Sequence, residues 1–525
     1  MFFRPEHLWP WRSLRSWRPY FLIFFLAFLI YGQTLFFDFT YFDDQDLIID
    51  KAALLSDTGN IGRIFTSDAF FSVNKFYYRP LLNLSFMLDA QAAGILAPAF
   101  HLDNILIHVL AVALVFYLLA RLTGKRPLAF WLSLIFLVHP VLAQAVAWLP
   151  GRNDSLLTFF VLAAFISFLN FLERPRLRSF LPYLLFLLAA LLTKESAVGL
   201  PLLAIFYLFF VDRGALERSD RWLLVIGSAA AGFVWFLMRY FALGGDATDY
   251  PNALLGLARN LPALLVQLGK LVLPVNLSVL PILADSSLVY GAVVLLALLA
   301  VLWFSREKSR TKVIFGALWF LIFLLPSFIR LNTLPDFLEH RLYLSFFGFL
   351  LIIAEIDWIK SLDFSQRRVK IMVAAVILIL SLVTVLHSRN FSDRLTFWRS
   401  AAASSPHSPL AQRNLGVMYY FAGDRAAATT YYAKALELNP NEPMVHNNLG
   451  VIYMDDNNLA LAEQEFRAEL AVNPDYDKAL FNLGEVSERR GRFAEAIGWF
   501  AATLRANPAY EEAAQRLLIL QEKLR

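Results

Sequence analysis

The chain has 525 residues, of which 58% are hydrophobic, 15% aromatic and 17% charged, and its formal net charge is +5. Ordinary soluble proteins contain about 45–50% apolar and about 25% charged residues, so this composition excludes an ordinary soluble protein and indicates a membrane protein. The absence of cysteine excludes disulfides, thiolate metal sites and a cysteine nucleophile. The sequence contains no basic face interleaved with aromatic residues, which is the pattern that would indicate a nucleic acid partner.

Apolar runs of 16 to 22 residues recur from about residue 19 to about residue 387. Each has roughly the length that a helix needs to cross about 30 Å of hydrocarbon. We therefore predict about eleven spans. They begin near Pro19, Asp103, Pro127, Ser155, Ser179, Ala197, Trp222, Ser287, Lys312, Leu342 and Val369.

The stretch 260–283 is apolar but contains Lys270 and three internal prolines. Proline disrupts a helix interior, so we predict an amphipathic helix in the membrane interface here and not a twelfth span. With that choice every second loop is rich in lysine and arginine, starting with Arg4, Arg12 and Arg15 before the first span. Cation-rich loops favour the cytoplasmic side.

The first predicted outer loop, about 38–102, begins with the stretch "YFDDQDLIID". The first span is followed by acidic residues and not by a small-residue cleavage site, so we interpret this span as uncleaved. An odd number of spans then places this loop and the C-terminal part on the same, non-cytoplasmic face. Asp46 and Asp50 are interpreted as solvated or capping residues, whereas Asp43 and Asp44 are candidates for function.

A 34-residue repeat follows the spans, marked by Asn414, Asn448 and Asn482 in "RNLG", "NNLG" and "FNLG". Asn-Pro pairs keep the same interval and end the second helix of each repeat. This period is typical of tetratricopeptide repeats, which stack helix pairs into a solenoid. Small residues such as Gly416 and Ala435 fall where paired helices approach closely. A concave surface that binds a peptide or partner protein is expected, with a spacer or assembly scaffold as the alternative.

The predicted fold is therefore all-α: a polytopic transmembrane bundle followed by a tetratricopeptide α-solenoid. We place the membrane domain at 1–390 and a linker at 391–408. The repeats cover 409–442, 443–476 and 477–510, and a capping helix covers 511–525.

Polar residues collect at the predicted outer ends of the spans, where topology does not require cations. They are Arg79, His101, His139, Arg152, Lys194, Glu195, Glu339, His340 and Arg341. A sugar on a lipid phosphate needs cations around its leaving group and a carboxylate to take the proton of the acceptor. Purely structural readings remain open: Lys194 could snorkel with Glu195 as its partner, and His139 could be hydrogen-bonded inside the bundle.

The order "FDFTYFDD", "YYRPLLNLSFMLD", "FHLDNILIHVL", "HPVLAQAVAWLPGRNDSL", "LLTKESAVGLP", "FLEHRLYLSFFGF" and a tetratricopeptide tail resembles the TMTC-type proteins and their bacterial relatives. These belong to the GT-C superfamily, which includes the protein O-mannosyltransferases. The resemblance implies an inverting transfer of mannose or another hexose. The donor would be a polyprenyl-phosphate sugar and the acceptor a protein hydroxyl, in O-mannosylation or a related protein O-glycosylation.

In this resemblance the acidic pair of the family falls on Asp43 and Asp44, one as general base and the other orienting the acceptor. A divalent ion held by Asp44 is left open, and no other cofactor is implied. Arg79, Arg152, Lys194, His340 and Arg341 would bind the donor phosphate, supported by His101, His139, Glu195 and Glu339. Gln144 stands where the family often has glutamate, and only three repeats are present.

These departures favour a bacterial relative, with the catalytic loop and repeats in the periplasm, or in the endoplasmic reticulum lumen of a eukaryote. The partners would be membrane lipid, a lipid-linked sugar and a protein or peptide acceptor that the repeats bind. The alternative is a non-catalytic membrane scaffold that assembles envelope proteins through its repeats.

Overall fold

A computed structural model describes residues 17–71, 76–212, 218–245, 253–329 and 337–524, and every regular element in these ranges is helical. The chain separates into two compact units, Met1–Phe397 and Trp398–Arg525. The helical content of the described residues confirms the predicted all-α fold. The arginines predicted to anchor the N-terminus, Arg4, Arg12 and Arg15, lie outside the described residues.

The first unit is built from long apolar helices joined by short helical turns. Its helices of eight or more residues are α1 Arg18–Tyr31, α2 Pro80–Ala93, α3 Ala97–Thr123, α4 Arg126–Val138, α5 Arg152–Glu173, α6 Leu177–Thr193, α7 Gly199–Phe206, α8 Arg218–Ala242, α9 Ala253–Asn260, α10 Ala263–Val272, α11 Val289–Phe304, α12 Arg310–Leu324, α13 Leu342–Ile353 and α14 Arg367–Ser388. Shorter α-helices are Ala52–Leu55, Ile61–Thr66, Gln144–Ala147 and Asp357–Lys360.

Six helical segments of the described chain are long and apolar enough to span a membrane. They are Arg18–Phe36, Ala97–Thr123, Leu149–Glu173, Asp220–Ala242, Arg310–Phe328 and Arg367–Phe391. The pair Arg126–Val138 and Pro140–Ala147, bent by 53°, is a seventh candidate. The other predicted spans coincide with apolar helices too short for this criterion, so the count of eleven remains a prediction.

The stretch 260–283, predicted as an amphipathic helix in the membrane interface, contains the short helix α10 Ala263–Val272. Its helix α10 is buried on several sides, and Lys270 is 2% exposed. Lys270 lies inside the protein because it pairs with Glu339, with 2.6 Å between its Nζ and the Glu339 carboxylate. A charge in an apolar helix therefore marks an internal ion pair here.

Helices α12 and α13 pack closely against each other inside the first unit. Glycines face each other at this crossing, and a Cβ on Gly348 would lie 2.4 Å from the Gly316 carbonyl oxygen. Such small residues let helix backbones approach closely in membrane proteins. The buried Trp319 indole donates to the Leu344 carbonyl at 3.0 Å, which fixes the two helices against each other.

The C-terminal part contains three helix pairs and a closing helix. They are α16 Pro409–Phe421 with α17 Arg425–Leu438, α18 Val445–Asp455 with α19 Leu459–Val472, α20 Asp477–Arg489 with α21 Phe493–Ala506, and α22 Glu511–Lys523. Within each pair, a Cβ on Gly416, Gly450 or Gly484 would lie 2.5 to 2.6 Å from an aromatic ring of the second helix. Only glycine fits there, which explains its recurrence with the repeat.

Residues 391–408, predicted as a linker, contain helix α15, Arg394–Ser404. The aromatic side chains of Phe397 and Trp398 are both fully buried. Burial of large apolar surface stabilises ordered structure, so this segment is helical despite lying between the two predicted domains.

Candidate functional site

The two neighbouring acids of the first outer loop occupy different environments. Asp44 is fully buried, and its carboxylate accepts hydrogen bonds from the backbone N–H groups of Thr40 at 2.5 Å and Phe42 at 2.9 Å. The Thr40 hydroxyl adds a bond at 3.0 Å. Burial raises the pKa of Asp44, opposed by these hydrogen bonds. Asp44 thus holds the loop in shape, whereas Asp43 lines a cavity.

This cavity has a volume of about 520 Å³ and gathers residues from widely separated parts of the first unit. Six of the residues predicted from the sequence line it: Asp43, Arg79, Lys194, Glu195, His340 and Arg341. They come from the first loop, the turn before α2, the turn after α6 and the turn before α13. The fold therefore brings most of the predicted charges of the span ends to one place.

Two ion pairs lie in the wall of the cavity. Arg79 lies 3.3 Å from the Glu195 carboxylate, and Lys194 lies 2.7 Å from Asp154. The guanidinium of Arg79 also stacks over the Tyr77 ring, 4.1 Å from its centroid. The cationic side chains retain about 15% exposure, so they are held in position but still reach the cavity.

The turn "EHR" contributes two further cavity residues. The backbone N–H of His340 donates to the side-chain oxygen of Gln144 at 3.1 Å. The imidazole of His340 lies 3.6 Å from the Asp154 carboxylate. Arg341 donates to the Ser327 carbonyl at 3.1 Å. Gln144 also donates to the Val279 carbonyl at 3.0 Å, so it fixes this turn without carrying a charge.

Arg152, predicted to bind the donor phosphate, is not among the residues that line the cavity. Its side chain is fully buried and pairs with Asp89 at 2.6 Å. It also donates to Asn104 at 2.6 Å and to the Phe100 carbonyl at 2.7 Å. With its donors engaged inside the protein, Arg152 braces α5 against α2 and α3.

Glu339 is also internal, although it precedes two cavity residues. Its carboxylate lies 2.6 Å from Lys270 and 3.3 Å from His387, and it accepts from the Ser278 N–H at 3.0 Å. Burial would raise its pKa, but Lys270 and His387 outweigh burial and lower the pKa of Glu339 to about 2. The ionised carboxylate anchors the "EHR" turn to α10 and α14.

The supporting histidines are likewise buried outside the cavity. His101 packs edge-on against Phe37 with ring centroids 6.0 Å apart. His139 lies 3.2 Å from the Leu271 carbonyl and contacts the Phe346 ring. Their positions favour roles in packing, which was the alternative considered for His139.

The cavity also contains residues that the sequence argument did not select as ligands: Trp148, Asn153, Asp154, Trp235 and Arg239. Arg239 carried a usable signal, because an ionisable residue inside a predicted span is by default a candidate for function. Trp235 carried none, since aromatic residues are frequent throughout this chain.

Among the residues that the structure describes, no group of three histidine or carboxylate side chains could hold a metal ion.

Two parts of the chain match known protein families. Residues 91–238 match the family described as dolichyl-phosphate-mannose-protein mannosyltransferase, and residues 415–471 and 447–511 match the tetratricopeptide repeat. The first match runs from α3 to most of α8 and includes the cavity residues Asn153, Asp154, Lys194, Glu195 and Trp235.

Relatives with similar sequences include a protein O-mannosyl-transferase of Caenorhabditis elegans, 27% identical over 65% of this chain and 50% of its own. Tmtc2 of Drosophila melanogaster is 33% identical over 48% of this chain and 28% of its own, and Tmtc1 is 35% identical over 23% and 14%. The alignments thus cover half or less of these relatives. By its mannosyltransferase-type membrane segment and its C-terminal repeats, the chain is similar to the TMTC protein O-mannosyl-transferases.

Proposed function

We propose that the chain is an integral membrane glycosyltransferase that transfers mannose or another hexose from a polyprenyl-phosphate donor to a protein hydroxyl. The observation that carries this proposal is one cavity that is lined both by Asp43 and by the cations Arg79, Lys194, Arg239 and Arg341. The match to a mannosyltransferase family and the names of the similar proteins support the sugar and the reaction class.

In the proposed reaction, Asp43 accepts the proton of the acceptor hydroxyl. The hydroxyl oxygen forms a bond to the anomeric carbon from the face opposite the phosphate, which inverts that centre. The bond between the anomeric carbon and the phosphate oxygen breaks, and the phosphate leaves with the electron pair. The cavity cations stabilise this additional negative charge.

The paired carboxylates have a different role from Asp43. Glu195 and Asp154 each lie beside a cation, so they orient Arg79 and Lys194 before the donor arrives. Fixed charges of this kind need little reorganisation when charge develops on the leaving group. Asp44 acts through the loop, holding the backbone that carries Asp43.

The repeats, in this proposal, bind the acceptor or a partner protein on the same side of the membrane as the catalytic loop. That side is the periplasm if the chain is bacterial, and the endoplasmic reticulum lumen if it is eukaryotic. The matched repeats support the binding of a protein or peptide.

The test replaces Asp43 with Asn, which keeps the size of the side chain and removes its basic form. We expect transfer to fall by about 10²–10⁴-fold, the usual contribution of a general base. Mass spectra of extracytoplasmic proteins from these cells would lose a hexose mass from Ser- or Thr-containing peptides.

The matched control is Asp46→Asn, the same change in the same loop at an exposed position outside the cavity. It should leave the spectrum unchanged. If the spectrum for Asp43→Asn equals that for the unchanged chain, with the variant present in the membrane at its normal level, the proposed enzymatic activity is contradicted and a scaffold is favoured.

A further inference from the structure

Helix α8 has one narrow stripe that faces the protein and a broad face that does not. Leu224 and Ala242 are 3% and 1% exposed, and Ser228, between them along the stripe, lies 2.8 Å from the Tyr183 hydroxyl. On the other face, apolar side chains such as Phe233 and Phe241 are 60% and 72% exposed. A helix of this length with such a surface fits contact with lipid hydrocarbon.

Trp235 and Arg239 lie on the protein-facing stripe, four residues apart and therefore about one helical turn apart. Both line the cavity that contains Asp43 and the cations. Helix α8 is thus a wall with the cavity on one side and an apolar, exposed surface on the other.

The indole N–H of Trp235 is buried and has no hydrogen-bond partner among the described residues. A buried polar group without a partner costs about 1–3 kcal/mol, so native proteins rarely retain one unless another molecule satisfies it. Because the Trp235 side chain lines the cavity, an oxygen of a ligand bound there is a candidate partner for this N–H.

We propose that Trp235 and Arg239 form the lipid-side part of the donor site. The indole N–H donates to an oxygen of the phosphate-linked sugar, and Arg239 adds positive charge beside it. This inference rests on the proposed function and extends it to the wall that separates the cavity from lipid.

The ligand is the lipid-linked donor, and not the protein acceptor, because of where this wall lies. A polyprenyl tail stays in hydrocarbon while its charged head occupies the cavity, so the head must pass a helix that contacts both. Arg239 also matches an anionic head group in charge. A neutral acceptor hydroxyl has no need of a guanidinium at this wall.

The experiment measures binding of radiolabelled polyprenyl-phosphate mannose to the purified full chain in lipid nanodiscs. Trp235→Phe keeps an aromatic ring and removes the N–H, and we expect the Kd to rise about tenfold, as for one lost hydrogen bond. Arg239→Gln should raise it at least as much. The matched control is Trp222→Phe on the same helix, where the side chain is 55% exposed, and its Kd should equal that of the unchanged protein.

Thermal unfolding of each variant separates folding from binding. If Trp235→Phe does not fold, Arg239→Gln carries the test alone. Normal donor affinity in the folded variants would overturn the inference. Failure of the unchanged chain to bind polyprenyl-phosphate mannose and also polyprenyl phosphates carrying other hexoses would instead refute the proposed function, and with it this inference.

Competition identifies the source of the phosphate. Unlabelled polyprenyl phosphate should displace the donor, whereas phosphatidylglycerol at the same concentration should not. Equal displacement by both would overturn the inference, because the wall would then bind any anionic lipid.

Discussion

Two groups of charges in the first unit look alike in the sequence and act differently in the structure. Arg79 with Glu195 and Lys194 with Asp154 line the cavity and keep part of their surface exposed. Arg152 with Asp89, and Lys270 with Glu339, are at most 2% exposed and lie outside it. The first group is available to a ligand and the second braces the fold, so a charge at a span end is informative only once its exposure is known.

The largest effect on stability is expected where a buried pair is broken. Arg152→Met removes the cation beside Asp89 together with several buried hydrogen bonds of the guanidinium, which should lower the free energy of unfolding by about 3–5 kcal/mol. Thermal unfolding of the purified chain in detergent measures this. The double variant Arg152→Met with Asp89→Leu should recover much of the loss, because no charge stays uncompensated. A variant of normal stability that loses donor binding would return Arg152 to the ligand group.

The pH dependence of stability offers a second comparison. The pKa of Glu339 is lowered to about 2, so its ionised form stabilises the folded state above the unfolded pKa of about 4.5. This contribution, about 3 kcal/mol, should disappear as the pH falls from about 5 toward 2. Unfolding temperatures across this range should fall more steeply for the unchanged chain than for Glu339→Gln. Parallel curves would contradict an ionised Glu339.

Breaking a cavity pair should affect activity more than stability. Arg79→Gln removes one cation near the leaving phosphate, and we expect kcat/KM to fall about 10–100-fold, which corresponds to about 1.4–2.7 kcal/mol. The unfolding temperature should change much less than for Arg152→Met, since Glu195 is 29% exposed and water can solvate it. A large stability loss with normal kcat/KM would place Arg79 with the bracing residues.

The smallest effect is expected at the surface of the repeats. Arg425 pairs with Asp455 at 3.4 Å and with Asp456, but its side chain is 46% exposed. Exposed pairs contribute about 0–1 kcal/mol, so Arg425→Ala should change stability by less than that. Amide hydrogen exchange in α17 and α18 of the full chain measures it. A loss as large as that of Arg152→Met would show that exposure is a poor guide.

The adjacent aspartates show the limit of reasoning from sequence. Both follow the first apolar run and neither differs from the other in type, so a pattern of residues cannot separate them. The backbone decides, because the N–H groups of Thr40 and Phe42 enclose Asp44 while Asp43 lines the cavity. These hydrogen bonds join a side chain to backbone groups two and four residues earlier in the chain. Their formation depends on backbone dihedral angles, which the composition of the segment does not reveal.

The sequence by itself determined the helical class, the positions of the apolar helices and the repeats, because these follow from local hydropathy and from a fixed period of 34 residues. It also placed Arg79, Lys194 and Arg341 among the candidate residues, since cations are costly in apolar surroundings and need a reason. Only the tertiary structure separated the charged residues that line the cavity from those that form buried ion pairs outside it. It also brought Trp235 to the cavity wall. Contacts between residues tens to hundreds of positions apart decide those features, and no local pattern encodes them.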